Sequence, residues 1–187
     1  MRISPELIGI AIAAAILIWI VAGFNALVAL RTRVQNAWAE IDVQLKRRHD
    51  LIPNLVEAVR GYMQHERSTL EAVAQARTQA MAAARGGIEQ RSTAESVLTG
   101  ALGNLFAVAE NYPQLRAVES VMLLQEQLTS TENRIAYARQ FYNDEVMKYN
   151  TAQSTFPRNL FARPFGFSPA AMFTAADSER ANVQVRV

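Results

Sequence analysis

Residues Leu7 to Leu30, LIGIAIAAAILIWIVAGFNALVAL, form an uncharged run of 24 residues closed by Glu6 and Arg31. No other feature limits the fold as much. At about 1.5 Å of rise per residue, a helix of this run is roughly 36 Å long and crosses a hydrocarbon core of about 30 Å with some tilt. A cleavable secretory signal has a shorter apolar core, about 7–15 residues, behind a basic head. Here only Arg2 and the amino terminus precede the run, and Arg31 and Arg33 follow it at once. A buried soluble helix is the other rival, and it needs a larger core than the remaining chain builds. The reading is a retained transmembrane helix over 7–30, after a short segment of residues 1–6.

Basic residues set the expected orientation. Arg31, Arg33, Lys46, Arg47 and Arg48 follow the span and Arg2 precedes it, which places the C-terminal part in the cytoplasm and the N-terminus outside. Cysteines introduced at Ser4 and Ser92 are then expected to label from opposite sides. Within the span, Ala11 and Ala15, and Ala22 and Ala26, are four residues apart, and Asn25 carries an amide. Such a face lets two spans approach and hydrogen-bond; the competing reading is that alanine is simply common in membranes.

The remaining residues suit one domain. The absence of cysteine excludes disulfides, cysteine-type zinc sites and thiol chemistry. His49 and His65 lack the spacing of a metal-binding helix, so no metal site is expected. Opposite charges are interspersed, with a net charge of +2, and no nucleic-acid-binding stripe stands out.

From Val34 the apolar positions Val34, Trp38, Ile41 and Leu45 continue the first helix to about Arg48, opposite a face bearing Arg31, Arg33, Glu40, Asp42 and Lys46. At Asp50-Leu51-Ile52-Pro53 the spacing predicts a break, with Asp50 as cap and Pro53 in the first turn of a new helix; a kink in one continuous helix is the alternative. The second helix is expected from Pro53 to about Ala84, with the stripe Leu55, Val59, Tyr62, Leu70, Val73, Ala76 and Ala80, ending before Gly86-Gly87. Ser92 and Glu95 spell a capping box for a third helix, which stops at Asn111-Tyr112-Pro113. The fourth runs from about Gln114 to Thr151. Val121, Leu128, Ile135, Tyr142 and Tyr149 lie seven apart on it, beside a second row of Leu124, Thr131, Ala138 and Glu145, as core positions of a bundle do.

Past Ser154, FPRNLFARPFGFSPAAMF crowds aromatic residues among prolines, which prevent a regular helix. Phe156, Phe161, Phe165 and Phe167 need a surface, supplied by the bundle, another subunit or the membrane interface with Arg158 and Arg163 on headgroups. The final ten or so residues carry no pattern that would hold them. At the standard rise, the cytosolic part of the first helix is about 27 Å long and the next three are about 48, 28 and 57 Å. Rods so unequal either overhang and find partners in other subunits, which favours self-association, or the break at Pro53 is not a full reversal.

Two polar groups remain. Lys46, Arg47, Arg48 and Asp50, with Glu132, Asn133 and Arg134, are the candidate interaction surface for a protein partner or headgroups. Set against it is a solvated helix face with interhelical pairs, such as Glu132 with Arg47 or Arg48. No base, nucleophile or paired acids converge and no glycine-rich phosphate loop occurs, so neither catalysis nor a cofactor is expected.

The stretch FNALVALRTRVQNAWAEIDVQLKRRHDLIPNLVEAVRGYMQHERSTLEAV, followed by LFAVAENYPQLRA, LTSTENRIAYARQFYNDEVMKYNT and FPRNLFARPFGF, resembles the LemA family of bacterial membrane proteins, in order, from about Phe24 to Phe173. Val118-Glu119-Ser120-Val121 departs from it, where family members often carry an Asn-Phe pair. The resemblance implies an all-α protein in the bacterial inner membrane: an N-terminal transmembrane helix, a cytosolic antiparallel helical bundle over 31–153 and an irregular tail over 154–187. It implies no enzymatic activity, cofactor or substrate. A magnetosome-associated branch points toward membrane organisation. The expected partners are the lipid bilayer, a second copy of the chain and an undefined protein, with no nucleic acid.

Overall fold

Pro53 does not end the first helix. In the computed structural model, which describes residues 5–173 apart from the Arg116 side chain, α1 runs unbroken over Pro5–Arg60 with Pro53 inside it. The break expected at Asp50–Pro53 is therefore corrected. An internal proline costs about 3 kcal/mol because it removes an N–H from the helical ladder. Against this, Ile52, Leu55 and Val59 on the inner face are 2 % exposed or less, and burying each such side chain is worth about 1.5–3 kcal/mol. Burial wins. The carbonyl left without its ladder partner is that of His49, four residues before the proline, and the Arg77 guanidinium donates to it from the next helix (Nε–O 2.7 Å).

The chain instead reverses over residues 61–66. There the Val59 carbonyl accepts from the Tyr62 and Met63 N–H groups, and the Met63 carbonyl accepts from Glu66. Tyr62, expected on the core stripe, lies in this turn and is exposed, and Met63 takes the inside position. The second helix, α2, is thus only Arg67–Ala83, stopping before Gly86-Gly87 as expected. Helix α3, Ile88–Ala109, starts ahead of the expected capping box, with Gly87 at its cap. Ser92 and Glu95 do not cap it; both are buried. A short 3-10 turn at Pro113–Ala117 delays α4, which spans Glu119–Ser154 rather than starting near Gln114. The heptad row on α4 is buried throughout, from Val121 to Tyr149, and so are Thr131, Ala138 and Glu145 of the second row.

Among the described residues all regular structure is helical. The chain divides into two compact units. Among the described residues, one comprises Glu40–Arg139 with Met172 and Phe173; the other comprises residues 5–39 with Gln140–Ala171. The first is a helical bundle whose four segments, from α1, α2, α3 and α4, are each between 17 and 22 residues long. Ile52, Leu55, Val73, Leu98, Leu105 and Leu128 lie at its core. Segments so well matched leave no overhanging seam. The rods are thus not of the lengths expected, since α1 and α4 each contribute only part of their length to this bundle.

That second unit contains the apolar start of α1, the end of α4, the single turn α5 at Asn159–Ala162 and an irregular stretch after it. Gly166 takes a positive φ of 79° there, a backbone shape that glycine adopts without strain. The apolar start of α1 is the one helix among the described residues long and apolar enough to cross a membrane. Leu7, Ile8, Ile10, Ile12, Ile16 and Leu17 on it are all exposed. Residues 1–4, which include Ser4, and the tail beyond Phe173 lie outside the described residues.

Candidate functional site

Within the Glu40–Arg139 unit, charge is buried where three helices meet. Arg48 is 1 % and Glu95 0 % exposed. The Arg48 guanidinium donates to the Thr99 hydroxyl (Nη2–Oγ1 2.7 Å), and its Nη1 lies 3.3 Å from Glu132 and 3.6 Å from Glu95. The imidazole of His49 faces the other Glu95 oxygen (Nε2–Oε1 2.9 Å). Nearby, Arg91 of α3 pairs with Asp42 of α1. Burial pushes the Arg48 pKa down, and Glu132 and Glu95 pull it back up. A guanidinium so paired stays charged. A histidine beside a glutamate can serve acid–base chemistry, but this pair is closed off from solvent, with His49 only 8 % exposed. The arrangement links α1, α3 and α4 through charged side chains, and a buried charge tolerates few alternative partners.

Among the residues singled out from sequence, Lys46, Arg47, Asp50, Asn133 and Arg134 are exposed and Glu132 is half-buried. Arg48 belongs inside. It cannot form part of an exposed docking face, and its contact with Glu132 is the interhelical pair weighed as the alternative. Glu95, His49 and Thr99 were not foreseen as its partners. Among the described residues no three carboxylates or imidazoles gather as a metal ion requires.

The other unit holds a second constellation. The Tyr149 phenol donates to the Ser168 carbonyl (3.1 Å) and the Tyr142 phenol to the Ala171 carbonyl (2.8 Å). Asn150 lies with them and meets Ala170 twice: its Nδ2 donates to the Ala170 carbonyl and its Oδ1 accepts from the Ala170 N–H, both at 2.9 Å. Gln153 donates to the same Oδ1. An extended piece of tail is thus strapped to α4 by side chains that stand in for a neighbouring strand. Burial raises both phenol pKa values, with Arg31 pulling that of Tyr149 back down. In the sequence these tyrosines read only as heptad core. The available signal was the hydroxyl, since a buried phenol requires a partner.

The aromatic tail splits into two sets. Phe161 and Phe167 are buried, and both pack on the apolar part of α1. Phe161 meets Trp19 edge-on at 5.5 Å, and Phe24 meets Phe165 and Phe167 at the same centroid distance. Gly23 makes room, because a Cβ there would stand 2.7 Å from the tip of Phe161. The outward set is Phe156 (73 % exposed) and Phe165 (55 %). Arg163 is exposed and Arg158 half-buried. In the apolar part of α1, Ala11, Ala15, Ala22 and Asn25 are exposed and Ala26 is half-buried.

Comparison with known proteins agrees with this architecture. Magnetosome protein MamQ 2 of Paramagnetospirillum magneticum is 27 % identical over 174 residues, covering 80 % of this chain and 64 % of that protein. Magnetosome protein MamQ of Magnetospirillum gryphiswaldense is 25 % identical with the same coverage. Protein LemA of Metamycoplasma hominis is 26 % identical over 162 residues, or 85 % of this chain and 72 % of that protein. The chain therefore spans less than two thirds of the length of the magnetosome relatives. The sequence model of the LemA family matches residues 37–187, from the middle of α1 through both constellations, and the chain belongs to the LemA family.

Proposed function

We propose that this protein is a single-pass membrane scaffold: a helical bundle carried on a span over residues 7–30, which self-associates and organises or shapes the bacterial inner membrane without catalysis. The observation that carries the reading is the division of labour along α1. Its start exposes an uncharged apolar surface, and its end supplies Ile52, Leu55 and Val59 to a bundle core. The relatives named as magnetosome proteins add support. With the bundle segments matched in length, self-association rests on the exposed small-residue face at Ala11, Ala15 and Ala22, where backbones can approach closely.

Single-molecule photobleaching of the labelled full chain in bilayers tests this. Multiple bleaching steps that collapse to one in Ala11→Ile/Ala15→Ile support the reading; single steps in the parent chain overturn it. The orientation, with the bundle cytoplasmic and the N-terminus outside, is tested by labelling cysteines at Ser4 and Ser68 in intact cells. Ser68 is exposed, whereas Ser92 is buried and would resist reagent from either side. The second reading is an adaptor that recruits a protein through Lys46, Arg47, Asp50, Asn133 and Arg134. Its support is that all five remain exposed, and it predicts crosslinks from these positions to a different protein rather than to a second copy.

A further inference from the structure

Every residue of α1 from Pro5 to Trp19 is exposed, Trp19 at its end being the one that meets Phe161. At about 1.5 Å per residue this stretch covers only about 22 Å of a hydrocarbon core of about 30 Å. The missing depth falls on the next turns of the helix, Ile20 to Phe24. That is the level at which the tail packs, with Phe161 on Trp19 and Gly23 and with Phe165 and Phe167 on Phe24. A tail seated there meets lipid on its outer side. Its outer side carries Phe156 at 73 %, Leu160 at 67 % and Phe165 at 55 % exposure. From Ser154 to Phe173 the only charged residues are Arg158 and Arg163.

We propose that residues 156–165 form a lipid-inserted foot, in which Phe156, Leu160 and Phe165 enter the acyl boundary of an anionic leaflet while Arg158 and Arg163 bind its phosphates. The inference rests on the membrane-anchor reading and adds to it a second contact with the bilayer. Three features converge on lipid as the occupant. The apolar side chains continue a surface that already faces hydrocarbon; the flanking cations match anionic headgroups and are long enough to reach them from an apolar base; and phenylalanine and leucine beside arginine are the side chains of segments that lie in the membrane interface. Backbone polar groups limit the insertion. The irregular stretch beyond α5 cannot lie deep in hydrocarbon unless protein covers it, and Tyr142, Tyr149 and Asn150 satisfy its later carbonyls against α4.

The absence of cysteine makes the test direct. Single cysteines at Leu160, Phe165, Ile12 and Ser130 of the full chain are labelled with an environment-sensitive nitrobenzoxadiazole dye. The chain is reconstituted in vesicles of phosphatidylglycerol and phosphatidylcholine carrying spin-labelled acyl chains. Probes at 160 and 165 should emit at short wavelength and be quenched like the probe at 12, with 130 unaffected. In Arg158→Gln/Arg163→Gln, or in pure phosphatidylcholine, quenching at 160 should fall at least twofold while quenching at 12 stays constant. Quenching at 12 without quenching at 160 and 165 overturns the foot and leaves the anchor standing. A second copy or a fold of the tail covers the patch if the dyes are shielded but not quenched, which also overturns the foot. Loss of quenching at 12 brings down both readings.

Discussion

The bundle and the unit that carries the apolar start of α1 bury polar side chains in opposite ways. In the bundle, Arg48, His49, Glu95, Thr99 and Glu132 meet one another across helices through ion-pair contacts and one hydrogen bond. In the other unit, Tyr142, Tyr149 and Asn150 turn to main-chain groups of an irregular strand. One heptad row on α4 serves both: Ile135 faces helices, whose carbonyls are already bonded, and Tyr142 and Tyr149 face tail carbonyls that no helix satisfies. Heptad position decides that a residue is buried. What lies opposite decides which chemistry it needs.

The sharpest way to break this contrast is to remove one bundle charge. Glu95→Ala leaves Arg48 and His49 buried beside only a half-exposed Glu132, and it is expected to destabilise the bundle by about 3–5 kcal/mol. Arg48→Met/Glu95→Leu should recover most of that loss, because an apolar pair of similar volume is often neutral. Denaturant unfolding of the full chain in detergent, followed by helical circular dichroism, measures both. Equal loss in the single and double variants would show that the cluster sets no register by charge.

Much of this unit could be read from the chain: the two rows of α4, the stop at Asn111-Tyr112-Pro113, and the contact between Arg48 and Glu132 as one of two alternatives. Glu95 could not, because Ser92 and Glu95 have the spacing of a cap, and only the register of α3 against α1 shows them facing inward. Pro53 misled for a related reason. Local rules price the lost hydrogen bond and cannot see Arg77, 24 residues further on, arriving to replace it. The tail was legible as irregular and in need of a surface. Its division into inward Phe161 and Phe167 and outward Phe156 and Phe165 depends on Gly23, whose missing side chain matters only once the tail has docked.

The Arg77 contact gives the next prediction, a double-mutant cycle confined to the bundle. Arg77→Ala strands the His49 carbonyl and is expected to cost about 1–3 kcal/mol. In a Pro53→Ala background the helix supplies its own N–H to that carbonyl, so the same substitution should cost under about 1 kcal/mol. Additive losses in the two backgrounds, read from unfolding midpoints, would mean that Arg77 acts through something other than this carbonyl.

Asn150→Ala probes the other side of the contrast. It deletes both hydrogen bonds to Ala170 and is expected to weaken the strap by about 1–3 kcal/mol, the cost of leaving such groups unpaired. The loss should be local, as expected for an irregular segment that opens independently of a helical core. Hydrogen exchange at Ala170 and Ala171 should quicken by at least fivefold, with exchange at Leu98 and Leu105 unchanged. Faster exchange in the bundle as well would erase the distinction between the two units.

The smallest effect comes from pH. Burial raises the phenol pKa of Tyr142 and Tyr149 above the usual 10.0, with Arg31 opposing the rise at Tyr149. The folded state therefore holds these protons more tightly than the unfolded chain. Stability from the phenols is complete below the unfolded value near 10 and falls as pH rises from there toward the folded value, where the loss levels off. A phenolate no longer donates to the Ser168 or Ala171 carbonyl, so the strap should loosen in that alkaline window while Arg48, a guanidinium, keeps its charge and its partners. Tail-specific proteolysis, scaled at each pH to cleavage of an unstructured peptide, should rise above about pH 10, and Tyr142→Phe/Tyr149→Phe should remove that dependence while starting from a looser strap. If instead the bundle opens first on the alkaline side, the polar contacts of the tail are the sturdier set, and the contrast between the two units is reversed.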